Sequence, residues 1–182
     1  MLTIKAKQRH LNNKGFSLIE LIVVLAVMAV AITGAVIGIS VLGKGDAGKA
    51  SKNIYSALSS LRTNTLSVNA SWELVIEHGS NGYTVKTYKD GECVDTVKTG
   101  SRIDITFKDE KSSEISLKDN VMVVSYRKDN GRFNTIAAGN DKSSAVNVKA
   151  DGSTKGTLNI KGGGREYTVT LWYATGRVTT EE

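Results

Sequence analysis

A chain of 182 residues with a formal charge of +6 has room for one domain of ordinary size and one membrane segment. Its single cysteine, Cys93, excludes an intrachain disulfide, and with only two histidines the chain offers no metal cluster of recognisable spacing. The charge is local: Lys5, Lys7, Arg9 and Lys14 precede every acidic residue, and from residue 16 onward 20 basic side chains face 18 acidic ones, which argues against a chain-wide nucleic-acid surface.

The first predicted element follows these basic residues. Leu21 to Gly43 carries no charge over 23 residues. As a helix it would be about 34 Å long, enough to cross a bilayer core of about 30 Å. The basic flank places residues 1–15 in the cytoplasm and everything after the span outside. A cleaved secretory signal does not fit, because such a signal has an apolar core of about 7 to 15 residues and a small-residue cleavage site. Gly43-Lys44-Gly45-Asp46 is a poor site of that kind. One carboxylate, Glu20, stands at the edge of the span, where burial is costly and a reason for its presence is required.

Beyond the span the helical period continues from Ala47 to Asn69, with apolar residues at Ala50, Ile54, Ala57 or Leu58, Leu61 and Leu66. Gly34, Gly38, Gly43, Gly45 and Gly48 lie between the two halves, so a loosened or locally melted junction is expected there. The stretch "GKGDAGKAS" approaches the phosphate-loop pattern G-x-x-x-x-G-K-[ST]. It fails at Ala50, where the magnesium-binding hydroxyl would stand, and it follows no buried strand.

After Asn69 the pattern changes to short alternating runs between turn residues. Strands are predicted at Trp72–Ile76, Tyr83–Tyr88, Arg102–Phe107, Val121–Arg127, Phe133–Ala137, Val146–Val148, Thr157–Ile160 and Tyr167–Tyr173. The predicted fold is α+β: a long N-terminal helix, half membrane segment and half exposed amphipathic helix, packed on an antiparallel two-sheet β domain. The boundaries are 1–15, 16–43 for the span, 44–69 for the amphipathic half and 70–182 for the β domain. Trp72, Trp172 and Tyr173 are read as core or helix-contact residues and not as ligand platforms. Asp109 and Glu110, in "FKDEKSSE", read as a solvated loop, and Gly162 to Gly164 as a hairpin turn.

Chemistry is sparse. No histidine pair, nucleophile with a base, or calcium-loop spacing is present, so no catalytic residue, metal or cofactor is expected.

The stretch "KGFSLIELIVVLAVMAVAI" resembles the N-terminus of type IV pilin and pseudopilin precursors. Gly15, Phe16, Ser17, Leu18, Ile19 and Glu20 occupy the motif without a mismatch. The resemblance implies that a prepilin peptidase cuts between Gly15 and Phe16, removing the leader 1–15, and methylates the new amine of Phe16. It further implies that Glu20 pairs with the Phe16 amine of an adjoining subunit, and that the partners are other pilin or pseudopilin subunits, the inner-membrane assembly platform and, before assembly, membrane lipid. The subunit would then be a single-pass membrane protein that enters a filament. The proline that kinks many such helices is absent, and Gly34 and Gly38 stand nearby.

The end of the chain, with Asp151-Gly152, Thr157 to Ile160, Tyr167 to Tyr173 and Gly176-Arg177-Val178, resembles the GspH/FimT type of minor pseudopilin. Some proteins of this class resemble DNA-uptake receptors, which implies Arg177 as a DNA contact. Thr179, Thr180, Glu181 and Glu182 follow it, so the charge pattern favours a structural arginine closing the last hairpin. The expected function is that of a non-catalytic minor pilin or pseudopilin, with a DNA receptor and a major pilin as alternatives.

Overall fold

A computed structural model of the chain describes residues 18–182, with the backbone alone for 30–44. The leader, Gly15 and Phe16 lie outside the described residues. The chain divides into two units, Met1–Ile37 and Gly38–Glu182. Helix α1, Leu18–Ser67, contributes to both.

In the first unit, the helical side chains from Leu18 to Ala29 are all exposed, among them Leu18, Ile19, Leu21, Ile22, Leu25 and Met28. A helix apolar on every side is one that lipid or partner helices surround. Among the described residues no helix is long and apolar enough to cross a membrane. The predicted span Leu21 to Gly43 falls largely on residues 30–44, whose side chains lie outside the described residues.

In the second unit, α1 buries Ala47, Ala50, Ile54, Leu58 and Leu61, at spacings of three and four that put them on one face. The loosened junction expected at the glycines is not observed: the helix is unbroken through Gly43, Gly45 and Gly48. Packing supplies the reason. A Cβ on Gly48 would come within 3.2 Å of the Tyr167 hydroxyl, so glycine lets the helix lie close to the sheet, and neighbouring burial offsets its low helix propensity.

Eleven strands follow: β1 Trp72–Gly79, β2 Gly82–Lys89, β3 Glu92–Lys98, β4 Asp104–Asp109, β5 Ile115–Ser116, β6 Val121–Tyr126, β7 Phe133–Gly139, β8 Val146–Asn147, β9 Lys155–Gly162, β10 Arg165–Trp172 and β11 Arg177–Glu181. They form a six-stranded sheet, β3-β2-β1-β6-β7-β8, and a five-stranded sheet, β11-β10-β9-β4-β5, with antiparallel pairing. The α+β architecture with two antiparallel sheets is therefore as expected.

Register carries the core across each sheet. In the first, Leu74, Val124 and Ile136 align on β1, β6 and β7; in the second, Phe107, Leu158 and Val169 align on β4, β9 and β10. These residues and the buried face of α1 belong to one hydrophobic cluster. On the opposite face of the first sheet Val75, Val123 and Ala137 align on β1, β6 and β7 and form a second, smaller buried cluster.

Three strands are absent from the sequence reading, the shortest being β5, Ile115–Ser116, which pairs with β4. β3 is exposed along nearly its whole length and so lacks alternation, yet Asp90 (φ 51°) and Gly91 (φ 88°) form the two-residue turn that folds it onto β2. β11 extends the closing Gly176-Arg177-Val178 into a five-residue edge strand.

Candidate functional site

The residues singled out by the sequence divide between the two units. Glu20 lies in the first turn of α1, where a negative charge complements the helix dipole, and it is exposed. Arg177 lies at the start of β11, directly opposite Trp172 on β10. Phe16, the expected partner of Glu20, is outside the described residues.

Around Arg177, the C-terminal hairpin is tied to α1 by a side chain that the sequence reading missed. Arg62 donates from Nε to the Gly131 carbonyl at 3.0 Å and from Nη2 to the Thr175 carbonyl at 3.1 Å. Two loops, after β6 and after β10, are thereby fixed to one helical residue. The spacing gave a weak clue, since Arg62 follows the buried Leu61 and precedes the buried Thr65, at the margin of the packed face. A cavity of about 500 Å³ lies alongside, lined by Tyr55, Ser59, Arg62, Tyr126, Arg177 and Thr180 among others. The Tyr126 hydroxyl is buried there without a hydrogen-bond partner among the described residues. Burial pushes its pKa well up, with the nearby Arg62 charge opposing the shift.

Trp172 corrects the sequence reading. It is 37% exposed, not core, because Leu171 and Tyr173 on either side point inward and alternation sends Trp172 out. Its Nε1 donates to Thr179 Oγ1 at 3.3 Å, and the Lys155 ammonium lies 5.5 Å from the ring centroid. Trp72 is half-buried against the core and Tyr173 is buried, as expected.

Asp109 is a second correction, being the buried last residue of β4 and not part of a solvated loop. Its carboxylate accepts the Tyr173 hydroxyl at 2.7 Å, the Lys111 amide at 3.0 Å and the Ser153 hydroxyl. Burial alone would raise its pKa. The hydrogen bonds from Ser153, Lys111 and Tyr173 outweigh that and hold it below the usual carboxylate range. The same burial, together with the bond to Asp109, pushes the Tyr173 hydroxyl upward. With every donor directed at one carboxylate and no histidine beside it, the cluster is suited to holding β4, β10 and the 150–154 loop together. Nucleophilic catalysis would need an accessible base.

Among the described residues, no group of three or more histidine, cysteine, aspartate or glutamate side chains is placed to hold a metal ion. Cys93 is exposed on the edge strand β3.

Residues 10–36 match the prokaryotic N-terminal methylation motif. That match supports a type IV pilin-like precursor, and implies processing by a prepilin peptidase and assembly with other pilins. It stops at Val36, so the β sheets and the C-terminal hairpin lie outside it. No curated protein and no solved structure matches the chain.

Proposed function

We propose that this chain is a minor pilin or pseudopilin, a structural subunit that enters or primes a type IV pilus or a type II secretion-like filament. The observation that carries the reading is the methylation motif at residues 10–36, coinciding with the exposed apolar surface of α1 from Leu18 onward. Fully burying one leucine, isoleucine or valine contributes about 1.5 to 3 kcal/mol. Lipid provides that burial for the free subunit and neighbouring helices provide it in a filament.

In this reading, the leader 1–15 is cytoplasmic, residues 16–43 form the anchor and filament-core segment, 44–69 the exposed amphipathic half, and 70–182 the external β domain. The peptidase cuts after Gly15 and methylates Phe16. Glu20 then pairs with the Phe16 amine of an adjoining subunit. A carboxylate carried into an apolar helix bundle is tolerated when a cation meets it, and the pairing sets the axial register at which a new subunit stops.

The test is intact mass and N-terminal sequencing of chain extracted from membranes of cells with and without the prepilin peptidase. The expected mature form begins at methylated Phe16 and depends on the peptidase. A mature chain beginning elsewhere, or one processed equally well without the enzyme, refutes the proposal.

A further inference from the structure

We infer that the outer face of the five-stranded sheet, at Trp172, is a binding platform for a neutral oligosaccharide. One sugar ring stacks on the indole while Arg177 and Glu181 bond the hydroxyls around it. This goes beyond a filament-subunit role and stands independently of it.

The argument begins with the cost of the residue. Trp172 is a large apolar side chain on a sheet face that contributes nothing to the core. Its row across the sheet is Lys155 on β9, Trp172 on β10 and Arg177 on β11, and the next row on the same face is Thr157, Thr170 and Thr179. The Lys155 ammonium lies over the indole, 5.5 Å from its centroid, and Thr170 is buried, so the apolar surface left to a ligand is the one that lines the hollow with Arg177, Thr179 and Glu181. That combination suits a pyranose, whose axial C–H bonds meet the negative face of the ring while its equatorial hydroxyls reach outward.

The platform is pre-arranged. The Trp172 Nε1 bond to Thr179 holds the indole toward β11. The turn beyond it is closed by the Gly176 amide donating to the Trp172 carbonyl at 2.9 Å, and is tied to α1 through the Arg62 bond to Thr175. Side chains held on rigid strands bind with less loss of conformational freedom than side chains on loops.

A hollow of about 490 Å³ lies at this place, lined by Thr154, Trp172, Thr175, Arg177, Thr179 and Glu181 among others. Neither the Arg177 guanidinium nor the Glu181 carboxylate has a hydrogen bond or ion pair among the described residues. The site therefore offers a five-donor group and an acceptor-only group that are both unengaged. They stand four residues apart on one strand, about 13 Å, a reach that calls for more than one sugar ring.

The charge pattern selects the ligand class. Single-stranded nucleic acid also stacks on aromatic rings, but it follows a continuous positive groove. Here Glu181 lines the hollow itself and opposes a polyanion, whereas a neutral polyol uses donor and acceptor alike.

The full chain, held in a zwitterionic detergent without a sugar headgroup, would be titrated by calorimetry with cellotetraose and with chitotetraose. Saturable binding to at least one is expected. Trp172→Ala should weaken it at least tenfold, while Trp72→Phe, on the other sheet, leaves it unchanged. Arg177→Ala and Glu181→Ala should each weaken it at least threefold, which keeps the proposal open to refutation even if Trp172→Ala fails to fold. Absence of saturable binding to both sugars overturns the proposal, as does binding that Trp172→Ala, or both strand variants, leave intact. Binding of oligothymidylate that falls with salt and disappears in Trp172→Ala and Arg177→Ala, without sugar binding, overturns it in favour of nucleic acid.

Discussion

Asp109 and Tyr173, 64 residues apart in sequence, meet through a 2.7 Å hydrogen bond in the interior, where each is at most 3% exposed. The contact joins the end of β4 to the residue just after β10, across β9, and Ser153 closes it from the preceding loop. Removing the carboxylate would leave the Tyr173 and Ser153 hydroxyls and the Lys111 amide without their acceptor. Asp109→Ala is expected to destabilise by about 3 kcal/mol or more, and Tyr173→Phe by about 1 to 2 kcal/mol. Urea unfolding of the detergent-solubilised chain measures both. Equal stability of Asp109→Ala and the parent would show that the network contributes nothing.

The same carboxylate sets an acid limit. An aspartate in the unfolded chain titrates near 3.9, and Asp109 in the fold titrates lower. The folded state therefore binds fewer protons in the window between the two values. Asp109 contributes its full stability above about pH 5, and the contribution is lost as pH falls through the folded value. Urea midpoints across pH 2 to 6 should fall more steeply for the parent than for Asp109→Asn. Parallel curves would refute the assignment.

Tyr126 provides the opposite case to Tyr173. Its hydroxyl is buried with no partner among the described residues, so deleting the oxygen removes a desolvation cost and breaks no bond. Tyr126→Phe is expected to be neutral or to stabilise by about 1 kcal/mol, whereas Tyr173→Phe destabilises. If both variants lose the same stability, burial and partnering at these two sites are not distinguished as described.

Much of this arrangement is legible in the sequence. The face formed by Ala50, Ile54, Leu58 and Leu61 follows from helical spacing, β1, β2, β4, β7, β9 and β10 follow from short alternating runs, and β6 from a continuous apolar run. Trp172 is misassigned where size and hydrophobicity are weighed over position: with Leu171 and Tyr173 facing inward, strand alternation sends it out. β3 is missed: its exposed residues carry no periodic signal, and the Asp90-Gly91 turn that folds it onto β2 is not singled out in the sequence reading. Asp109 was hidden for another reason: burial of a carboxylate depends on donors at residues 153 and 173, which local pattern does not relate to it. Arg62 was hidden likewise, since its acceptors are backbone carbonyls and every residue has one.

Arg62 is expected to act as a staple for the last hairpin. Both of its bonds reach carbonyls in loops that no other described helix holds. Arg62→Ala should cost about 2 kcal/mol. Arg62→Lys should recover less than half of this, because an ammonium cannot reproduce a planar fork aimed at two acceptors. Full rescue by lysine in urea unfolding would reduce the role to charge alone.

Two glycines separate backbone conformation from crowding. Gly91 (φ 88°) has open space where a Cβ would stand, while Gly176 (φ 66°) has the Gly131 carbonyl there. Gly91→Ala should cost about 1 to 2 kcal/mol, the penalty of a left-handed conformation with a side chain. Gly176→Ala should cost at least twice as much, because the Arg62-bound loop must also move. Similar losses in the two variants would mean that the Gly131 loop yields freely.

The last prediction concerns Glu20. In the free subunit this residue is near the start of α1 and exposed, so replacing it should leave membrane insertion and cleavage unchanged. The cost of a carboxylate arises when the helix enters an apolar bundle, and an unpaired buried charge there is penalised by several kcal/mol. If the Phe16 amine of a neighbour meets it, then Glu20→Ala strands that amine, while Glu20→Gln keeps the shape and loses the charge. Both variants should accumulate in the membrane as processed chain, and both should enter sheared filaments at least tenfold less than the parent, a deficit of about 1.4 kcal/mol. Glu20→Asp, which keeps the charge on a shorter stem, should fall between them and the parent. Parental incorporation of Glu20→Ala would remove the pairing from the proposal. Incorporation restored by Glu20→Gln alone would make the interaction a matter of shape and hydrogen bonding, with no role for charge.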